Sequence, residues 1–168
     1  MNLYLMRHGI AVAKDDPEIH SDEERALTKK GAKRVRKAAK GLSKLDVAFD
    51  RILTSPLPRA RQTAEIVAKV FKMKGEIEEL PQLAPATPAE ELVAGLAGYR
   101  ELENVLLVGH EPLLGEAASV LLARERRVRL SLKKGGVCFV EADGLAPENP
   151  AVLGWMMTPK QLRLLAKS

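Results

Sequence analysis

Short apolar runs alternate with longer stretches of helical periodicity along this chain, and that alternation restricts its fold more than any other feature. Leu3 to Met6 reads as a buried strand, followed by a polar loop to about Leu27. Thr28 can cap a helix in which Ala32, Val35, Ala39 and Leu42 recur on one side. Arg51 to Thr54 is a second short strand; after Ser55-Pro56, a helix carries Ala60, Ala64, Val67, Ala68 and Phe71 on one face. Glu76 to Leu80 is a third strand. Thr87-Pro88-Ala89-Glu90 has the N-cap, first-turn proline and capping-box glutamate of a helix that ends near Gly98. Asn104 to Val108 is the clearest buried strand, and Pro112 opens a helix that stacks Leu113, Ala117 and Leu121 beside Leu114, Ala118 and Leu122. Val137 to Ala142 and Val152 to Met156, divided by a turn from Gly144 to Pro150, are the last strands. Thr158-Pro159-Lys160-Gln161 then caps a terminal helix.

This order predicts a three-layer α/β/α fold: a mostly parallel sheet with helices on both faces, and the late strands as an antiparallel edge. No internal repeat or linker divides the chain, so residues 1–168 are expected to form one domain. Ligands of such sheets bind beyond the carboxyl ends of the strands, which is where the chemistry should be sought.

Composition narrows the classes. Apolar residues make up 46% and charged residues 29%, the balance of a soluble globular chain, and no apolar run is long enough to span a membrane. The apolar start, Met1 to Arg7, is too short for a signal peptide, so a cytoplasmic address is expected. The one cysteine, Cys138, lies in an apolar run and reads as a buried, inert thiol. The net charge of +5 owes much to Lys29, Lys30, Lys33, Arg34, Arg36, Lys37, Lys40 and Lys44. These residues fall on the outer face of an amphipathic helix and read first as a solvated surface. No zinc-ligand set or RNA-recognition motif is visible and aromatics total only 4%, which argues against nucleic acid as a partner.

Three strand ends carry polar residues of one chemical kind. Arg7 and His8 end the first strand, Arg59 lies in the opening turn after the second, and His110 follows the Asn104 to Val108 strand. In a parallel sheet they converge on one edge. Guanidinium forks match phosphate oxygens and keep their charge at any working pH. Imidazole titrates near neutrality and is a good nucleophile toward phosphorus. Helix N-termini near Ser55-Pro56 and Pro112 would add backbone donors. Phosphoryl transfer needs positioning and neutralisation of oxygens, which such a pocket supplies without a metal. The separations of His8, His20 and His110 fit no ordinary zinc spacing, so neither metal nor other cofactor is expected, and His20 reads as exposed.

Arg7-His8-Gly9 after an apolar strand, Ser55-Pro56-Leu57-Pro58-Arg59-Ala60-Arg61-Gln62-Thr63-Ala64, and Val108-Gly109-His110 together resemble the histidine phosphatase superfamily, also called phosphoglycerate-mutase-like. Arg25-Ala26-Leu27-Thr28-Lys29-Lys30-Gly31 is similar to a segment of many members. The resemblance implies that His8 is the nucleophile, transiently phosphorylated. It implies that Arg7, Arg59 and His110 line the phosphate pocket, with His110 protonated. It places Arg59 rather than Arg61 in the site; residues two apart do not share a helix face, so Arg61 should be at the surface. Gly9 would let phosphate approach the backbone closely. Arg25 either reaches the pocket or solvates its loop.

Within the superfamily the chain looks most like the small SixA-type phosphohistidine phosphatases, since only 50 residues lie between Arg59 and His110 and leave little room for a lid. Leu83-Ala84-Pro85 offers no acid where mutase-type members carry their proton donor, and Ile10 stands where related small phosphatases often have an acid. Glu90, Glu91 and Glu111 remain as donor candidates, Glu111 foremost, although its neighbour Pro112 explains it equally well as helix entry. The resemblance implies a phosphorylated protein as partner, a histidine phosphotransfer protein among the candidates, and inorganic phosphate as product. Two other readings stand beside it: a broad phosphomonoesterase, and a non-catalytic module that binds phosphate or nucleic acid.

Overall fold

The structure, a computed structural model, describes residues 1–73, 77–143, 145 and 149–167. Its strands are β1 (Asn2–Arg7), β2 (Arg51–Thr54), β3 (Ile77–Glu79), β4 (Asn104–Gly109), β5 (Val137–Glu141) and β6 (Val152–Met157). Its helices are α1 (Lys29–Leu42), α2 (Pro58–Phe71), α3 (Ala89–Gly95), α4 (Leu113–Ala123) and α5 (Pro159–Leu165). One six-stranded sheet has the order β3-β2-β4-β1-β5-β6. The first four strands in that order are parallel, and β5 and β6 add antiparallel pairings at one edge, as the turn-linked apolar runs predict. The intervening turn falls largely outside the described residues.

Central strands are apolar on both faces because both are covered. One face packs Tyr4, Met6, Ile52, Leu106 and Val108 against α1, α2 and α5. The other packs Leu3, Leu5, Leu53, Val105 and Leu107 against α3 and α4. Each leucine fully withdrawn from water contributes about 1.5–3 kcal/mol, so these two layers dominate the folding free energy. Two glycines allow the close approach of α1 to its neighbours. A Cβ on Gly31 would run into the Ile10 carbonyl, and one on Gly41 into the Leu162 carbonyl of α5. Thr28 accepts the Gly31 N–H at 2.9 Å and so caps α1, as its position before the periodic segment indicates. Thr158 and Gln161 form the expected reciprocal capping box at α5.

The Thr87 cap is different. Helix α3 starts at Ala89 with Pro88 as its cap, has no side-chain capping bond, and ends at Gly95 before a 3₁₀ turn over Leu96–Tyr99. Glu90 does not reach back, because its carboxylate is engaged by Arg126 instead. A long-range ion pair thus replaces the local one. Helix α2 likewise begins at Pro58, later than Ser55-Pro56 suggests, and Pro112 is the cap of α4 rather than its first turn. The third strand begins at Ile77; Glu76 lies outside the described residues. Among the described residues no helix is long and apolar enough to cross a membrane.

Candidate active site

Strand register builds the site. Arg7 on β1 pairs with Gly109 on β4, so His8 and His110 leave adjacent strands side by side. Their rings lie 5.0 Å apart between centroids. Thr54 on β2 pairs with Val108, and Ser55 just beyond it donates its backbone N–H to the Val108 carbonyl at 2.9 Å. Ser55 Oγ then sits 2.8 Å from His110 Nε2. Arg59, in the first turn of α2, is only 3% exposed and turns inward, whereas Arg61 is exposed and pairs with Glu65 and Glu79.

The His8 ring is fixed in one tautomer. Its Nδ1 lies 2.7 Å from the Gly9 carbonyl, which can only accept, so Nδ1 carries the proton and Nε2 keeps a lone pair. Burial, opposed by that hydrogen bond and reinforced by Arg59, Arg7 and Lys134, pushes its pKa down to about 4. His8 is therefore a neutral imidazole at neutral pH. Burial also pushes His110 down, to about 3, helped by His8, Arg59 and Arg7. Two cationic rings 5.0 Å apart among arginines repel, so without a bound anion both stay neutral, and the charge that the resemblance implies for His110 goes with a bound phosphate. Ser55 Oγ accepts the Leu57 N–H at 3.3 Å. With its hydroxyl proton given to His110 Nε2, the other ring nitrogen becomes a donor.

Around this pair lies a cavity of about 480 Å³ lined by His8, His110, Arg59, Arg25, Lys134 and Glu111, with Asp22 and Lys14 at its rim. Arg59 Nη2 donates to Asp22 Oδ2 at 2.7 Å and Nη1 to the Asp22 carbonyl at 2.6 Å. Arg25, 8% exposed, donates to the other Asp22 oxygen at 2.7 Å and to the Val12 carbonyl at 2.6 Å. That settles its two readings toward the pocket. These cations, with Lys14, hold the Asp22 carboxyl well below the usual carboxylate range. Glu111 goes the other way: burial raises its pKa, against the Leu132 N–H bond at 3.1 Å and the nearby charge of Arg7. Arg7 itself does not line the open cavity. It is half-buried and donates to the Leu132 carbonyl at 2.9 Å. Buried Arg59 Nε and His110 Nδ1, both from residues that line the cavity, have no partner among the described residues. Orphaned donors of this kind are costly, and an oxyanion would satisfy them.

One expectation fails. Gly9 does not offer its backbone to phosphate, because its N–H donates to Thr63 Oγ1 at 3.1 Å. The absence of a side chain there serves packing: a Cβ would lie 2.5 Å from Val35 of α1. Asp22 and Lys134 are site residues that the sequence reading does not single out. Asp22 sits in the polar loop without helical or strand periodicity, and its one local signal is an acid three residues before Arg25. Lys134 arrives from the segment before β5, where Gly135 N–H bonds the carbonyls of Arg7 and His8. Cys138 and His20 fall where expected, the first fully buried with its thiol pushed up to about 11, the second exposed. Among the described residues no three His, Cys, Asp or Glu side chains are arranged to hold a metal ion. A larger cavity, about 660 Å³, adjoins Glu111 along α4 but contains no histidine, so the chemistry points to the smaller one.

The sequence pattern of the histidine phosphatase superfamily (branch 1) matches residues 3–84, which include Arg7, His8, Arg25 and Arg59. A phosphohistidine phosphatase SixA homolog of Haemophilus influenzae is 30% identical over 137 residues, 76% of this chain and 81% of that protein. The chain belongs to the histidine phosphatase superfamily. As a histidine phosphatase it is a hydrolase, and within the superfamily it is SixA-like. The structure of the protein histidine phosphatase SixA complexed with tungstate superposes with a TM-score of 0.84 at 29% identity, over 96% of this chain and 99% of that one. An uncharacterized protein of Picosynechococcus sp. is 41% identical over 143 residues, 82% of each chain. The sheet, with helices on both faces, is the α/β fold of these phosphatases.

Proposed function

We propose that this phosphatase removes phosphate from histidine side chains of other proteins, with His8 as the nucleophile. The observation that carries the proposal is the state of His8. Its proton is committed at Nδ1 to the Gly9 carbonyl, it is neutral at working pH, and it borders a cavity shared with Arg59, Arg25 and His110. In the first step the Nε2 lone pair attacks phosphorus while the P–N bond of the substrate breaks. The departing imidazole nitrogen keeps the electron pair and takes a proton. Guanidinium and imidazole donors carry the equatorial oxygens, and the arriving negative charge raises the pKa of His110. In the second step water attacks the phosphorus on His8, gives up a proton, and inorganic phosphate leaves with His8 restored.

Proton supply favours this substrate class. Asp22 and Glu111 are the carboxylates among the described residues of the cavity. Asp22 is ionised and held by two arginines, which leaves Glu111, whose raised pKa suits a donor. Glu111 also accepts the Leu132 N–H, so part of its capacity is structural. An imidazole leaving group needs less acid assistance than an alkoxide, and one partly committed carboxyl is enough. SixA homologs named as phosphohistidine phosphatases point the same way. The chain is read as one domain, and the phosphorylated partner as a protein able to present its ring at the strand edge.

The test compares kcat/KM on a phosphohistidine protein, a phosphoserine peptide and an aryl phosphate. Preference for the first is expected. Equal or better turnover of the phosphoserine peptide means a broad esterase instead.

A further inference from the structure

Charge is unevenly distributed over this protein. Helix α1 carries seven Lys and Arg residues, and residues 160–167 carry three more, with no acid in either segment. Removing these ten from the 27 basic residues leaves 17 against 22 acidic ones, a net charge of −5 for the rest of the chain. The two helices pack directly on each other at Gly41 and Leu162, which brings cations of both together. Between them lies a groove of about 460 Å³ lined by Lys37, Lys40, Lys160, Arg163 and Lys167, with Leu164 left 56% exposed beside them.

Stability does not explain the concentration. Lys29 and Lys33, Lys33 and Lys37, and Arg36 and Lys40 are like charges at helical i,i+4 spacing, which repel. Helix α2, by contrast, has an Arg61–Glu65 pair at the same spacing. Among the described residues none of the ten takes part in an ion pair.

The helices that carry the face also start at the site's end of the sheet. Helix α1 starts where Thr28 bonds the Ile10 carbonyl, two residues past His8. Helix α5 starts after Met157, which pairs with Val137, itself paired with Met6. Both basic helices therefore begin at the sheet edge that bears His8, where Lys14 and Lys134 add charge to the cavity.

We propose that the α1/α5 face docks an acidic surface of the protein whose phosphohistidine enters the cavity. This rests on the reading of the enzyme as a protein phosphohistidine phosphatase. Charge complementarity selects the partner: opposed potentials raise the encounter rate and fix orientation, with effects that salt screens over about 10 Å at 0.1 M. An exposed leucine within the groove offers an apolar anchor. Nucleic acid is disfavoured because the helices that form the face carry no aromatic side chain on which bases could stack.

The test compares the wild type with K37E/K40E/K160E, three exposed positions remote from the cavity lining. Substrates are an acidic protein phosphorylated on histidine by phosphoramidate, and an aryl phosphate. At low salt the variant should lose about tenfold or more in kcat/KM on the protein and little on the aryl phosphate, and the wild-type salt dependence should flatten. Unchanged turnover of the protein by the variant overturns the docking face alone. A wild type that hydrolyses aryl phosphate but not the phosphoprotein overturns the parent reading, and the face with it. Tighter, reversal-sensitive binding to duplex DNA or to anionic vesicles than to the phosphoprotein assigns the face to a different partner.

Discussion

Titration of the two buried histidines tests the electrostatics on which the chemistry depends. In the unfolded chain both would bind protons near pH 6.5, but in the folded protein His8 does so only near 4 and His110 near 3. Between these values the unfolded state carries more protons, so stability falls as pH drops below about 6.5 and levels off near 3. For His8, the drop from 6.5 to about 4 at roughly 1.4 kcal/mol per pH unit makes about 3 kcal/mol, before His110 adds to it. The His8 ring protons should be followed by NMR from pH 8 to 3.5, with denaturant unfolding measured in parallel. Neither site ring should protonate near 6.5. Added phosphate or tungstate should move both titrations upward, because a bound anion favours the charged rings. A His8 that titrates at 6.5, or stability flat between pH 7 and 4.5, would refute the argument.

Other outcomes follow from single contacts. Arg59→Lys keeps a charge but loses the fork that faces both Asp22 and the cavity; kcat/KM should fall on the order of 10²-fold with the fold intact by circular dichroism. Glu111→Gln still accepts the Leu132 N–H but cannot donate a proton, so alkyl phosphate hydrolysis should drop while phosphohistidine hydrolysis is largely retained; equal losses would deny the donor role. Gly41→Ala drives a methyl group into the Leu162 carbonyl and should lower stability by about 1–3 kcal/mol, read as a reduced Tm, with little effect on kcat.

Much of the site was legible because its parts are local. An apolar run ending in Arg7-His8, a Pro-started helix with Arg59 in its first turn, and a strand ending before His110 each declare their geometry within a few residues. A parallel sheet then brings the three ends together without further information. What stayed hidden depends on contacts across the chain. Asp22 reaches Arg59 over 37 positions, and Arg7 finds the Leu132 carbonyl over 125. Gly9 was misread because one missing side chain serves either ligand approach or packing, and only the position of Val35 decides. The Thr87 cap failed for a related reason: Arg126, 36 residues after Glu90, competes for its carboxylate.

The chemical form of the phosphoenzyme tests the central claim most directly. After rapid mixing with substrate and quenching at alkaline pH, where phosphohistidine survives, peptide mass spectrometry and ³¹P NMR should locate phosphate on His8, attached at Nε2, since Nδ1 is held by the Gly9 carbonyl. Phosphate on Nδ1 or on another residue, or full turnover by His8→Ala, would contradict the account.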